Sequence, residues 1–293
     1  MNNRTGEAVL ALNEDVLQAA RYRRSAGESL GKLAQEIGLP WQRLWTLLYA
    51  PGASTAKPPA AHWPTIRPNA KAGSLTEKYR PTSLDTIWGQ DAVVKVLRKF
   101  AAQPYSTAFI FEGETGTGKT SAALALAAEL GCDLSQRPQE FGGVQTIASG
   151  EQSADAVREV YRQMHNCPWH GSGWKVVIVN EADRMARPAE TIWLDVLEAV
   201  PAKTVITFTT NEAGRLSQRF LDRCTRLSFE SDAEKLSRSA RTFAAAVWKH
   251  ETGKVLDPSS LSHLVDKATA NGHLSFRRLM QELTVALGLE RAQ

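Results

Sequence analysis

A chain of 293 residues, 43% hydrophobic and 23% charged, has the make-up of a globular protein with two or three folding units. The three cysteines, Cys132, Cys167 and Cys224, are too far apart for zinc-type pairs and too few for a disulfide scaffold, so all three are expected as small buried apolar residues. A net charge of +4 permits a nucleic-acid partner without demanding one, and the lack of a signal-like start or a bilayer-length apolar run leads to the expectation of a cytoplasmic protein with no membrane partner.

Residues 29–50, SLGKLAQEIGLPWQRLWTLLYA, carry the first pattern. Leu33, Ala34, Ile37, Leu39, Leu44 and Leu47 fit two short helices that meet, with Gly38 at a positive-φ turn and Pro40 at the start of the second helix. A helix-turn-helix unit is expected over 1–50, with Gln42, Arg43 and Thr46 on the exposed side as DNA contacts. Trp41, Trp45 and Tyr49 recur at helical spacing, which also suits a core or a protein-docking stripe. Residues 51–74 hold five prolines and three basic residues with no acid, the composition of a linker.

From residue 75 to 230 the pattern alternates. Apolar, β-branched segments at 107–111, 144–147, 175–179, 205–209 and 226–229 are separated by helical stretches near 118–130, 153–165 and 188–199. That order predicts an α/β domain with a parallel five-stranded sheet covered by helices on both faces. From 231 to 293 the strand signals stop, and helices near 232–251, 258–270 and 274–289 predict a small helical lid.

Directly after the first strand the chain reads GETGTGKT, a complete Gly-x-x-x-x-Gly-Lys-Thr. Glycines 113, 116 and 118 let backbone N–H groups turn inward around phosphate, and the following helix aims its positive end there. Residues Gly113, Glu114, Thr115, Gly116, Thr117, Gly118, Lys119, Thr120 and Ser121 are therefore expected to hold the phosphates of ATP. Lys119 would reach the β and γ phosphates, and the Thr120 hydroxyl would ligate magnesium.

The strand VVIVNEAD, 176–183, ends in Asn180 and Glu181. Glu181 is placed to polarise an attacking water. Asn180 stands where a metal-holding Asp is usual, so magnesium would rest on Thr120 and Asn180 with less charge behind it and turnover would slow.

Over about 75–285 these segments resemble the AAA+ superfamily, and within it the clamp-loader ATPase subunits, replication factor C small subunits and the bacterial gamma-tau type. LTEKYRPTSLDTIWGQ (75–90) is similar to the family's adenine-cradling start, which implicates Tyr79, Arg80, Pro81 and Gln90. IASGEQSADAVREV (147–160) resembles its DNA-facing segment, which implicates Ser149 and Gln152. The resemblance makes Asn211 the water-orienting sensor, Arg223 in SQRFLDRC an arginine finger for a neighbour's nucleotide, and Arg277 (in preference to Arg278) the lid's phosphate-sensing arginine. Departures are Asn180, Asp222 in place of the Ser before the finger, and no basic residue in GEQSAD. The resemblance would add a helical collar after the lid, and none is expected within these 293 residues.

The resemblance implies an ATP- and magnesium-dependent oligomer (ring, spiral or filament) on DNA that loads or remodels a second protein. Two other plans fit the residues. One is an ATP-gated DNA scaffold with slow hydrolysis that recruits another enzyme, as in target-selecting ATPases of Mu-type transposition. The other is a helix-turn-helix regulator switched by ATP.

Overall fold

The computed structural model describes residues 20, 30–38, 40, 44, 64–69, 72–136 and 138–291, the side chains of 289–291 excepted. Helix α1, Leu30–Ile37, buries Leu30, Leu33 and Ala34, and Gly38 follows it with φ 73°. Gln42, Arg43 and Thr46, and the aromatic stripe Trp41, Trp45 and Tyr49, lie outside the described residues.

A short helix, α2 (Leu75–Lys78), is capped by the Ser74 hydroxyl, which accepts from the Glu77 N–H at 3.3 Å. Helix α3 (Asp91–Ala102) buries Val93, Val94, Leu97, Phe100 and Ala101, a helical spacing that makes one apolar face. Then β1 (Thr107–Glu112) leads through the glycine loop into α4 (Lys119–Glu129). The sequence of α4 is alanine-rich, which favours helix and lets it pack closely on the sheet; most of its residues are buried. β2 (Val144–Ile147), α5 (Ala154–Met164), β3 (Lys175–Val179), α6 (Arg187–Glu198), β4 (Thr204–Thr210), the single turn α7 (Gln218–Leu221) and β5 (Thr225–Ser228) complete the alternation.

The five strands are parallel in the order β2-β3-β4-β1-β5. Period-two alternation sends each strand's residues to opposite faces. Phe109, Phe111, Val176, Ile178 and Val205 join α3 and α4 in one cluster. Ala108, Ile110, Val177, Val179, Ile206 and Phe208 join α5, α6 and α7 in the other. The inner strands β1, β3 and β4 are thus buried on both sides, whereas the edge strands β2 and β5 expose Thr146, Thr225, Arg226 and Ser228.

The lid holds α8 (Ala233–Thr252), α9 (Pro258–Lys267) and α10 (Phe276–Arg291). At the expected break between α9 and α10 lies a two-stranded ribbon, β6 (Thr269–Ala270) and β7 (His273–Leu274), in place of the facing ends of the two expected helices. Asn271 and Gly272 close it with φ 51° and 77°, the mirror-type turn that Asn-Gly favours. Tyr79 and Trp88 bury in the lid's apolar cluster with Phe243, Trp248 and Leu279, so the segment before α3 shares its core with the lid. Among the cysteines, Cys132 is buried and Cys224 half-buried, but Cys167 is exposed, contrary to the expectation that all three are buried.

Phe208 is fully buried at the sheet centre, with Trp193 and Phe220 edge-on at 5.0 and 4.8 Å. Phe208→Ala should therefore cost about 3–5 kcal/mol of stability, read as a fall in denaturant midpoint with an unchanged slope. A loss under 1 kcal/mol would contradict this packing.

Candidate nucleotide site

The glycine loop leaves the carboxyl end of β1. Gly113, Gly116 and Gly118 all have positive φ, at 143°, 82° and 101°. At Gly116 a Cβ would collide with the Ser275 hydroxyl and press on Arg277, and Phe276 N donates to Gly116 O at 3.1 Å. The lid therefore seats directly on the loop, and only glycine permits that approach. At Gly118 a Cβ would meet nothing within 4 Å, so the opposite side of the loop stays open.

Lys119 is 9% exposed, and its ammonium donates to Gly113 O at 2.7 Å, Glu114 O at 2.8 Å and Asn211 Oδ1 at 2.9 Å. Burial lowers its pKa to about 8, helped by Arg277 and opposed by Glu114, Asp183 and Glu181. Thr117 is buried and donates to Glu114 O at 2.9 Å, while Thr115 is exposed at the loop's tip.

Because β4 lies between β1 and β3, its tip can reach both motifs. Thr120 Oγ1 donates to Asn180 Oδ1 at 2.8 Å, so the two expected metal holders are in contact. Glu181 sits at φ 53°, a left-handed backbone unusual for a non-glycine residue. Its N–H is taken by Thr209 Oγ1 at 3.1 Å, and its carboxylate accepts from Ser149 Oγ and from Arg184 Nε at 3.2 Å. Asp183 was read only as part of the strand end. It accepts from Thr210 Oγ1 at 2.9 Å and Asn211 N at 3.3 Å, so it fixes the residue that bonds Lys119.

Tyr79, Arg80 and Pro81 line a pocket with Gly116, Gly118, Ser121 and Arg277. The rest of its wall is apolar and includes Trp88, Phe243, Phe276 and Met280. Three of these are aromatics that the sequence did not single out. A flat apolar base and a triphosphate fit this combination of aromatic wall and glycine loop.

Two expectations need correction. Gln90 does not face that pocket. It is 2% exposed, its amide donates to Glu230 O at 2.8 Å and Thr117 O at 3.5 Å, and it accepts from Glu230 N at 2.8 Å. It fastens the loop to the strand-to-lid junction. Gln152 does not face outward as a DNA contact. It is 4% exposed and its amide donates to Asn180 O and, at 3.1 Å, to Glu181 O. Ser149 is exposed, but its hydroxyl is turned to Glu181.

Arg223 lies in the turn before β5, toward the amino-terminal edge of the sheet and away from the carboxyl edge that carries the glycine loop. Thr225, at the start of β5, pairs with Phe109, so Arg223 is level with the start of β1. The glycine loop follows the end of β1, about 20 Å away at 3.3 Å per residue. Its guanidinium is held by Glu198 and by Arg219 O at 3.0 Å.

Residues 89–233 match a family model described as DNA polymerase III, delta subunit. Replication factor C subunit 3 of Saccharomyces cerevisiae is 32% identical over 210 residues, 71% of this chain and 58% of that protein. A replication factor C small subunit of Picrophilus torridus is 31% identical over 172 residues, 58% of this chain and 52% of that protein. The chain spans about half the length of the curated relatives it matches. A crystal structure of a DNA polymerase III gamma subunit-related protein from Thermotoga maritima is 19% identical, covering 67% of this chain and 71% of that one, with a TM-score of 0.44, too distant to bear on function. The motifs and their convergence on one edge of the sheet are those of an AAA+ nucleotide-binding module, whose sequence relatives include replication factor C subunits.

Proposed function

We propose that the chain is a slow ATPase that works as an oligomer on DNA, where ATP binding and turnover load or remodel a second protein. The observation that carries this is the convergence of Lys119, Thr120, Asn180, Glu181 and Asn211 at the carboxyl edge of β1, β4 and β3. Magnesium fits the neutral oxygens of Thr120 and Asn180, which already touch, with Glu181 and Asp183 nearby. When bound, the ion would neutralise phosphate charge.

In this reading Lys119 carries positive charge to the β and γ phosphates and Arg277 brings the lid's charge to the same place. Glu181 takes a proton from the attacking water once its carboxylate leaves Ser149, and Asn211 orients that water. Arg223 cannot reach the nucleotide of its own chain, which supports a site completed by the next subunit. DNA and the partner protein rest on the kinship with replication proteins and on the net charge of +4. Gln42, Arg43 and Thr46 remain the proposed DNA contacts. Trp169, 80% exposed and stacked on Phe141 at 5.3 Å, is an exposed aromatic pair that a protein partner could cover.

Asn180 favours a second version: an ATP-gated scaffold in which slow turnover prolongs assembly on DNA. The versions part on stimulation, since a loader's turnover rises steeply with DNA and partner together and a scaffold's does not.

Three outcomes follow. Arg223→Ala should leave ATP affinity intact and reduce turnover by about 10³-fold or more; unchanged turnover would remove it from the reaction. Asn180→Asp should speed turnover several-fold by restoring a carboxylate, and an Asp variant no faster than its parent would mean that metal positioning does not limit the rate. The third concerns pH. Free Lys119 loses its proton at about 8, and bound triphosphate favours the ammonium, so binding takes up a proton above that pH. Affinity should be flat below pH 7.5 and about tenfold weaker at pH 9 than at pH 7, by titration calorimetry in buffers of different ionisation enthalpy. Equal affinity at both pH values would contradict it.

A further inference from the structure

Four side chains meet where the segment before α3 touches the last turn of α8. Lys78 Nζ and Tyr79 OH each donate to Glu251 Oε1 at 2.6 Å. The Tyr79 oxygen is also 2.6 Å from His250 Nδ1. Its single hydrogen is already directed at Glu251, so it accepts from His250, which requires the proton on Nδ1. The Glu251 side chain is only 6% exposed.

This is a poor place for a carboxylate on helical grounds. The last turn of a helix carries the negative end of its dipole, and α8 is 20 residues long. Burial pushes the Glu251 carboxyl up, yet the hydrogen bonds from Lys78 and Tyr79 more than offset that and hold it at about 2. Burial, and then Glu251 itself, push the Tyr79 hydroxyl up, so it stays a donor. Lys78 and Tyr79, on another segment, therefore contribute most to holding Glu251 charged, with His250 of the same helix adding to it. The tyrosine so held is also one of the residues that line the pocket, together with Phe243 and Phe276 of the lid.

We infer that Glu251 is a positioning residue for base binding: it fixes the Tyr79 ring from behind and fastens it to the lid, so that holding the base and setting the lid are one equilibrium. This rests on the reading of the pocket as a site for a nucleoside triphosphate. It assigns Glu251 and Lys78 a role that reaches the base and not the phosphates, because they hold Tyr79, whereas the glycine loop's own carbonyls hold Lys119.

The test compares ATP with inorganic tripolyphosphate, which lacks the base, by calorimetry on the full chain. Tyr79→Phe keeps the ring and loses the hydroxyl; Glu251→Gln keeps the shape and loses the charge. Each should weaken ATP roughly tenfold and leave tripolyphosphate within about twofold of the parent. Unchanged ATP affinity in both variants would overturn the inference. So would a parallel fall for both ligands, which would reduce the cluster to support of the fold. A parent chain that binds tripolyphosphate but not ATP would sink the nucleotide reading itself, a result distinct from either.

Discussion

The site depends on where one buried ammonium finds its partners. Lys119 cannot stay charged in a protein interior unless oxygens replace the water it loses. Here those oxygens come from Gly113, Glu114 and Asn211. Two belong to the loop after β1 and one to the residue after β4. The bond to Asn211 thus joins the phosphate loop to the neighbouring strand's tip, and the 2.8 Å contact of Thr120 with Asn180 carries the link on to β3.

The rest of the edge is built to keep those tips in register. β4 is buried along its whole length, yet four of its seven residues are threonines. Thr207 donates to Val177 O at 3.2 Å, Thr209 accepts from Glu181 N, and Thr210 donates to Asp183. Their hydroxyls meet polar groups of β3 and its tip, as buried polar atoms must. Phe208 points between them into the opposite layer. The strand serves both as apolar core and as a row of polar pegs that sets the backbone of Glu181 in its left-handed conformation.

Much of this was legible from residue patterns. The five strands fall within a residue or so of their expected bounds, the inner three because segments buried on both faces leave long apolar runs. The phosphate loop was legible because its glycines and lysine have no other common use at a strand-to-helix junction. Helix α3 carries a helical period at Val93, Val94, Leu97, Phe100 and Ala101 but lies before the strand-helix alternation begins, and the break at 271–273 shows the Asn-Gly turn without showing that two residues on each side pair as strands. Gln90 and Gln152 were misplaced for a different reason. A glutamine reads as polar and exposed, and nothing local shows that its amide meets backbone carbonyls from residues 140 and 28 positions away. The aromatic wall of Trp88, Phe243 and Phe276, and the joint at Glu251, are likewise products of long-range packing.

On the proposed function catalysis needs two chains, since Arg223 stands toward the opposite edge of the sheet from the loop it would otherwise serve. The most direct measurement mixes two inactive variants, Lys119→Ala and Arg223→Ala, and follows ATP turnover. In a mixed oligomer an intact Lys119 meets a neighbour's intact Arg223 at about a quarter of the interfaces, so the mixture should recover about that share of parental activity although neither variant alone is active. No recovery at any ratio, with both variants shown to assemble together, would contradict a site shared between subunits.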